Sequence, residues 1–421
     1  MTNSSNQATG GAGVAWEECN YDFYGNKKYF TPKMLEAYLD SKLRVVKMND
    51  ITKQIDVGGM EEENAEYLLA NLPALLYSEL QGRYKGCTMH TVSAYLDILA
   101  SRYAYNPVKM LLDDYYTWDG EDRLPALYDI LGIGENDSFS RVLIHKWLRQ
   151  CIALQYNEFD RPFGADGVLV LMGPQGIGKT SFFRKLALVP DFFKEGVTID
   201  FRDKDTFIRA TSCWICELGE LESTLRKDVE KLKAFITQSL DEYRLPYARS
   251  SVRTLRRTSL CGTCNSDEFL IDRSGNRRFW SVPVTRIDLD ALESFDAVQL
   301  WKQIQAQVLR EGVQSFRLTA EEQRQLAERN TRHEKKLKAQ AEIEDILNDT
   351  TTRYYRVVTE YMTVSQFKEY HSDMLRSYTV QQIGQVLDRL GYPTELKKID
   401  GKKKRLRLLP RREYTNPGRA W

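Results

Sequence analysis

The sequence predicts an α/β protein: a P-loop core with a helical module before it and a winged-helix-like domain after it. Three observations carry that expectation. An apolar run over 167–172 leads directly into Gly173, Pro174, Gln175, Gly176, Ile177, Gly178, Lys179 and Thr180, the spacing Gly-x-x-x-x-Gly-Lys-Thr. From 167 to 284 apolar runs alternate with helical stretches, as in a parallel sheet wound with crossovers. Near the end, two short helical stretches precede a basic segment broken by Asp400-Gly401, a hairpin signal.

Composition sets the frame. A chain of 421 residues has room for about two to four domains and at least one large core. Its charged and apolar fractions are those of a globular protein, and no apolar run approaches a membrane span. Residues 1–13 are polar and glycine-rich, without the basic and apolar regions of a signal peptide, so a cytoplasmic protein is expected. A net charge of +1 gives no global nucleic-acid signature. Any such surface must be local, and 249–257 and 397–412 are the basic clusters.

Among the seven cysteines, Cys213/Cys216 and Cys261/Cys264 have the spacing of a four-thiolate zinc site. Both pairs lie in apolar, strand-like runs, where residues three apart point to opposite faces. Buried, reduced thiols are therefore expected rather than zinc ligands.

Taken in order, residues 1–15 read as a disordered N-terminus and 16–135 as a helical packing or oligomerisation domain. Thr31-Pro32 opens a first helix with a capping residue and a proline at the first turn. Further helices are expected over 63–75, 88–103, 124–131 and 138–156, with turn-rich punctuation at 105–108 and 118–124. The core domain, 136–312, carries expected strands at 167–172, 212–217, 258–264 and 278–284, then helical residues 286–312. A charged helix from Thr319, opened by the box Thr319-Ala320-Glu321-Glu322, would run to about Asn348 within a connector over 313–350. Its charge reads as a solvated face. In 351–421, helices at 365–374 and 379–390 precede the basic hairpin. A winged helix is the favoured reading; a helical cap with a charged tail is the alternative.

Several residues in this frame carry chemistry. In a P-loop, backbone N–H groups from Gly173 through Ser181 cradle phosphates, Lys179 reaches the β/γ-phosphates, and the Thr180 hydroxyl goes to Mg²⁺. The helix starting there points its positive end at the same anion. A neighbouring strand must supply a carboxylate for the metal and for a water. Glu217 is assigned to the metal and Glu220 to water activation or support, against the alternative of ordinary surface glutamates. Asn265, ending the next strand, would bond the γ-phosphate or orient the water; otherwise it is a turn former. Arg277 and Arg278 precede a strand and suggest an arginine finger, with Arg278 preferred and Arg277 as alternative or helper. Between the carboxylate and Asn strands, 241–257 has the length of a hairpin. Arg244, Arg249, Arg253, Arg256 and Arg257 there would grip a phosphate backbone and Tyr247 would stack on a base; the alternative is a surface hairpin paired to acidic neighbours. Lys402, Lys403, Lys404, Arg405 and Arg407 would contact phosphates from the C-terminal hairpin.

The series Gly-Pro-Gln-Gly-Ile-Gly-Lys-Thr, Trp-Ile-Cys-Glu-Leu-Gly-Glu-Leu, Asp-Glu-Tyr-Arg-Leu-Pro-Tyr-Ala-Arg, Gly-Thr-Cys-Asn and Gly-Asn-Arg-Arg-Phe-Trp resembles the virulence-associated protein E family, itself similar to superfamily 3 helicases. Tyr-Asn-Pro-Val and Trp-Asp-Gly-Glu-Asp-Arg-Leu upstream fit the same family. The resemblance spans roughly residues 100–310. It implies an AAA+-type ATPase core using ATP and Mg²⁺, assembled as a ring, expected to be a hexamer. It further implies nucleotide at subunit interfaces, single-stranded DNA in the central channel against the hairpin arginines, and service to phage or mobile-element replication. Duplex DNA at the C-terminal domain is a further expectation. The sequence upstream is too short for a fused primase, so a separate primase is expected as a partner. Glu220 stands three residues after Glu217 rather than beside it, which leaves the general base open.

Overall fold

In the computed structural model, residues 26–58, 71–219, 230–243, 251–265, 276–332, 340–349, 355–399 and 402–414 are described. The chain divides into two compact units, 1–333 and 334–421.

In the first unit, α1 (Pro32–Ser41), β1 (Val45–Met48), β2 (Ile55–Gly58), α2 (Leu72–Leu80) and α3 (Met89–Arg102) share a small core around Leu35, Leu76 and Leu96. The expected helix at 31 forms, with Pro32 in its first turn, but the Thr31 side chain makes no capping bond. Thr88 does cap α3, exchanging bonds with Thr91. The antiparallel β1–β2 hairpin is additional to the helices expected in this mostly helical region. The expected helix over 63–75 lies largely outside the described residues; α2 begins at Leu72.

Short α4 (Pro107–Met110) and α5 (Leu124–Ile130) lead to α6 (Ser138–Ala153), capped by Asp137, whose carboxylate accepts from Ser140 N–H. Next come β3 (Val168–Met172), α7 (Lys179–Leu186), β4 (Phe193–Val197), α8 (Lys204–Thr211), β5 (Ile215–Leu218), the hairpin β6 (Leu240–Tyr243) and β7 (Val252–Leu255), β8 (Ser259–Cys264) and β9 (Phe279–Pro283). Five of these strands form one parallel sheet in the order β4-β5-β8-β3-β9. Every residue of β3, Val-Leu-Val-Leu-Met, is buried, as a central parallel strand covered on both faces requires. The four expected core strands are present within a few residues of their expected bounds. β4 is additional to them, because Lys194, Glu195 and Gly196 break its apolar signal in the sequence.

One sheet face packs against α6, α7 and α10 (Ala297–Glu311), which follows α9 (Leu289–Ser294). Leu300, Trp301, Ile304 and Val308 repeat at helical spacing and are fully buried; each such side chain contributes about 1.5–3 kcal/mol of apolar burial. Three indoles fasten this layer to backbone carbonyls: Trp147 to Leu260, Trp214 to Cys151 and Trp301 to Leu186. Gln150 accepts from the N–H groups of Asp166 and Gly167 and donates to Gly167 O, fixing the entry to β3. The opposite face packs on residues of α8 and of the helical stretch 230–236.

The cysteines at 213, 216, 261 and 264 are buried and form no disulfide among the described residues. Cys261 and Cys264 do lie on opposite faces of the sheet, whereas Cys213 and Cys216 pack in the same core, because Cys213 sits in the bend before β5 rather than in the strand.

The charged stretch after 319 departs most from expectation. Thr319 and Glu322 form the capping pair that opens α11 (Ala320–Arg332). The helix is not simply a solvated arm: Leu326 and Asn330 are buried, and Arg329 and Asn330 bond to β9 and α6.

The second unit contains α12 (Gln340–Leu347), β10 (Tyr355–Met362), α13 (Val364–Tyr370), α14 (Ser372–Leu375), α15 (Val380–Arg389), β11 (Glu395–Ile399) and β12 (Lys402–Tyr414). Thr363/Gln366 and Thr379/Gln382 form capping boxes for α13 and α15. β12 lies between β10 and β11 in an antiparallel sheet, and the helices bury Phe367, Ile383, Val386 and Leu387 in its core. The hairpin strands are where the sequence places them; Asp400 and Gly401 lie outside the described residues, and β10 is additional to the expected elements.

Candidate active site and nucleic-acid interface

The strand order explains the site. β8 lies between the P-loop strand β3 and the carboxylate strand β5, so Asn265, just past β8, falls between Lys179 and Glu217. Lys179 Nζ donates to Asn265 Oδ1 at 3.0 Å and to the carbonyls of Gly173 and Pro174, each at 2.7 Å. Thr180 Oγ1 donates to Glu217 Oε1 at 2.9 Å. Lys179, Thr180, Glu217 and Asn265 therefore meet at one end of the sheet.

The loop geometry requires its glycines. Gly176 and Gly178 have φ of +85° and +94°, left-handed values that cost little only for glycine. A side chain at Gly173 would strike Val284 O, since its Cβ would stand 1.9 Å away. Among the described residues, no group accepts a hydrogen bond from the backbone N–H groups of Gln175, Gly176, Ile177, Gly178, Lys179, Thr180 or Ser181; the first helical bond runs from Phe182 N to Gly178 O. This row of unpaired donors at a helix N-terminus fits a polyphosphate. The adjacent Thr180 hydroxyl and Glu217 carboxylate are hard oxygen donors and fit Mg²⁺.

Burial raises the pKa of Glu217, while hydrogen bonds from Thr263 and Thr180 act to lower it. Burial lowers that of Lys179, opposed by Cys264 and Glu217. Thr263, whose Oγ1 donates to Glu217 Oε1 at 2.7 Å, is a site residue that sequence reasoning missed. Counting back two from Asn265 along a strand of period two would have found it.

Arg277 and Arg278 end a 3-10 turn at the start of β9. β9 is parallel to β3, with Phe279 opposite Val168 and Pro283 opposite Met172. The arginines therefore stand at the opposite end of the strands from the P-loop, about 17 Å away along a five-residue strand. Arg277 is exposed; Arg278 is half-buried, and its Nε makes no hydrogen bond among the described residues. The structure does not bring this pair to Lys179 within one chain. Glu220, Arg244, Tyr247 and Arg249 lie outside the described residues.

Two hairpin arginines are corrected. Arg256 is fully buried: its guanidinium forms an ion pair with Asp241 (2.6 Å), donates to Phe235 O at 3.2 Å and stacks on the Phe235 ring. Arg257 donates to the carbonyls of Leu154, Gln155 and Asn157 at 2.8–3.0 Å. Both fasten the hairpin base to the core and present no free guanidinium to DNA. Arg253 is exposed on β7, 3.8 Å from Glu242 across the hairpin.

In the second unit, Lys403, Lys404 and Arg405 are exposed. Of Lys402 only the backbone, at the start of β12, is described. Arg407 is corrected: it is buried, paired to Asp388 at 2.6 Å and bonded to Tyr392 O. Lys397 faces Lys404 and Lys398 faces Lys403 across the β11–β12 ladder. Like charges opposite one another cost stability, and a polyanion would relieve that cost.

The virulence-associated protein E-like domain model matches residues 112–335. The chain belongs to that family. Among solved structures, the chain is similar to the apo A form of the NrS-1 C-terminal region (12% identity, TM-score 0.46, covering 90% of this chain and 100% of that one). It is also similar to a JCV helicase with a bound small molecule (11% identity, TM-score 0.27, covering 62% and 77%). The search of curated proteins finds no match. Among the described residues, no helix is long and apolar enough to cross a membrane.

Proposed function

We propose that the chain is an ATP-hydrolysing, ring-forming DNA helicase or replication protein of a phage or other mobile element, with an AAA+-type P-loop core. The observation that carries this reading is the meeting of Lys179, Thr180, Glu217 and Asn265 from three adjacent strands beneath a row of unpaired backbone N–H groups.

In this reading the N–H groups of Gln175 through Ser181 and the Lys179 ammonium bind the phosphates. Thr180 and Glu217 hold Mg²⁺, which when bound neutralises charge on the phosphate oxygens. Asn265, already bonded to Lys179, orients the attacking water. The water oxygen bonds to the γ-phosphorus as the bond from that phosphorus to the β-γ bridging oxygen breaks and ADP leaves, and the water's proton passes to a carboxylate, Glu217 or Glu220. The finger, Arg278 or Arg277, comes from a second copy of the chain, because within one chain the pair lies at the wrong end of β9. The ring requires at least this pairing, and a hexamer is the proposed closure.

Arg244, Tyr247, Arg249 and Arg253 would engage single-stranded DNA from the hairpin. The β10, α13–α15, β11–β12 arrangement supports a winged-helix-like domain whose Lys402, Lys403, Lys404 and Arg405 contact duplex phosphates. Domain limits of 16–135, 136–312 and 351–421 are retained as part of this proposal, with a separate primase as partner.

The test is ATP hydrolysis with and without single-stranded DNA, beside strand displacement on a forked duplex, for the wild type and Lys179→Ala. DNA-stimulated hydrolysis and displacement, both lost in Lys179→Ala, are expected. Hydrolysis without displacement would replace the helicase by an ATP-controlled adaptor or loader, and no hydrolysis would overturn the reading.

A further inference from the structure

β9 closes one edge of the sheet, so a row of its backbone groups has no neighbouring strand. An exposed edge of this kind is a liability that proteins cover or blunt. Here α11 covers it with side chains. Asn330, only 1% exposed, donates from Nδ2 to Phe279 O at 2.9 Å and accepts from Ser281 Oγ at 2.7 Å. Arg329, its neighbour, donates to Ser281 O at 3.3 Å. Arg329 also reaches Ser140 Oγ and Asp137 Oδ1, each at 2.6 Å, and so ties the same edge to the start of α6.

Two edge carbonyls two residues apart are thus satisfied from consecutive positions of one helix. The first belongs to Phe279, the residue directly after Arg278. On the other side of that arginine, Arg277 O accepts from Trp280 Nε1 at 3.2 Å. Neither arginine side chain has an acceptor among the described residues. The backbone that carries the pair is pinned on either side of Arg278, by Trp280 at Arg277 O and by Asn330 at Phe279 O.

A helix that covers an edge must also satisfy the carbonyls it buries, and Asn330 and Arg329 do so here. The amide that does so is held from its other side by Ser281 and meets the strand at the residue directly after the arginine pair. We infer that Asn330, supported by Arg329 and Ser281, is a positioning residue for the Arg277–Arg278 pair, which in turn acts on the nucleotide of the neighbouring subunit. This rests on the reading of that pair as a finger acting between subunits.

The experiment uses the full chain and steady-state ATP hydrolysis with single-stranded DNA. Asn330→Ala is expected to lower kcat about tenfold to a hundredfold, the effect of displacing a catalytic group by about an ångström, with KM for ATP little changed because the P-loop is untouched. Mixing then separates the causes. Arg278→Ala mixed with Lys179→Ala regains activity if the finger acts in trans; no recovery overturns the finger and this inference with it. Given that recovery, Asn330→Ala mixed with Lys179→Ala should also recover, whereas Asn330→Ala mixed with Arg278→Ala should not, since both lesions lie on the finger side.

Failure of Asn330→Ala to be rescued by Lys179→Ala, or a rise in KM without loss of kcat, overturns the inference while leaving the finger standing. If Asn330→Ala does not fold, Ser281→Ala replaces it, removing only the hydroxyl that orients the amide. A smaller kcat loss with the same rescue pattern is expected, and wild-type kcat in that variant counts against the inference.

Discussion

Replacing Arg256 with alanine distinguishes a hairpin that grips DNA through this residue from one anchored by it. The Arg256 side chain is 0% exposed and Asp241 8%, and Asp241 accepts from both Nε and a terminal nitrogen of the guanidinium. Removing one partner of a buried pair costs about 3–5 kcal/mol, because the remaining charge stays desolvated and unpaired. The lost stacking on Phe235 and the bond to Phe235 O act in the same direction. At about 2 °C per kcal/mol for a body of this size, the transition of the first unit should fall by about 6–10 °C. The double replacement Arg256→Met with Asp241→Leu removes both charges and should recover most of that loss. Thermal unfolding read beside DNA binding by fluorescence anisotropy is the assay. A transition within about a degree of wild type, together with weakened DNA binding, would refute the structural assignment of Arg256.

Glu217→Gln should bind ATP, lose hydrolysis and unfold at a higher temperature than wild type. Burial raises the pKa of Glu217, so the folded state holds its proton to higher pH than the unfolded chain. The stability this gives is present at low pH and is lost as pH rises through the raised value; at neutral pH the buried charge is a net cost. Glutamine keeps an oxygen for Thr180 and Thr263 without that charge, and a lower melting temperature at pH 7 would contradict the argument. For the C-terminal hairpin, Lys403→Glu with Lys404→Glu should weaken duplex binding and flatten its dependence on salt by about 0.9 in log–log slope for each phosphate no longer neutralised; an unchanged slope would remove these lysines from the interface.

The sequence by itself determined the P-loop, the four principal core strands and the order in which the site residues arrive. Those features are local: Gly176 and Gly178 must adopt left-handed φ, β3 must be apolar on both faces, and Thr88, Thr319, Thr363 and Thr379 cap helices through neighbours three residues away. The tertiary structure alone decided what depends on long-range neighbours. β4 became a strand through pairing with β5, despite its charges. Thr263 joined Glu217 because β8 and β5 are adjacent. Arg256, Arg257 and Arg407 look in sequence like any exposed cation beside their basic neighbours, yet fold inward, since only packing supplies Asp241, the carbonyls at 154–157 and Asp388. The same holds for α11: its composition is that of a solvated helix, and it is the free edge of β9 that draws Asn330 inward to bond Phe279 O and Ser281 Oγ.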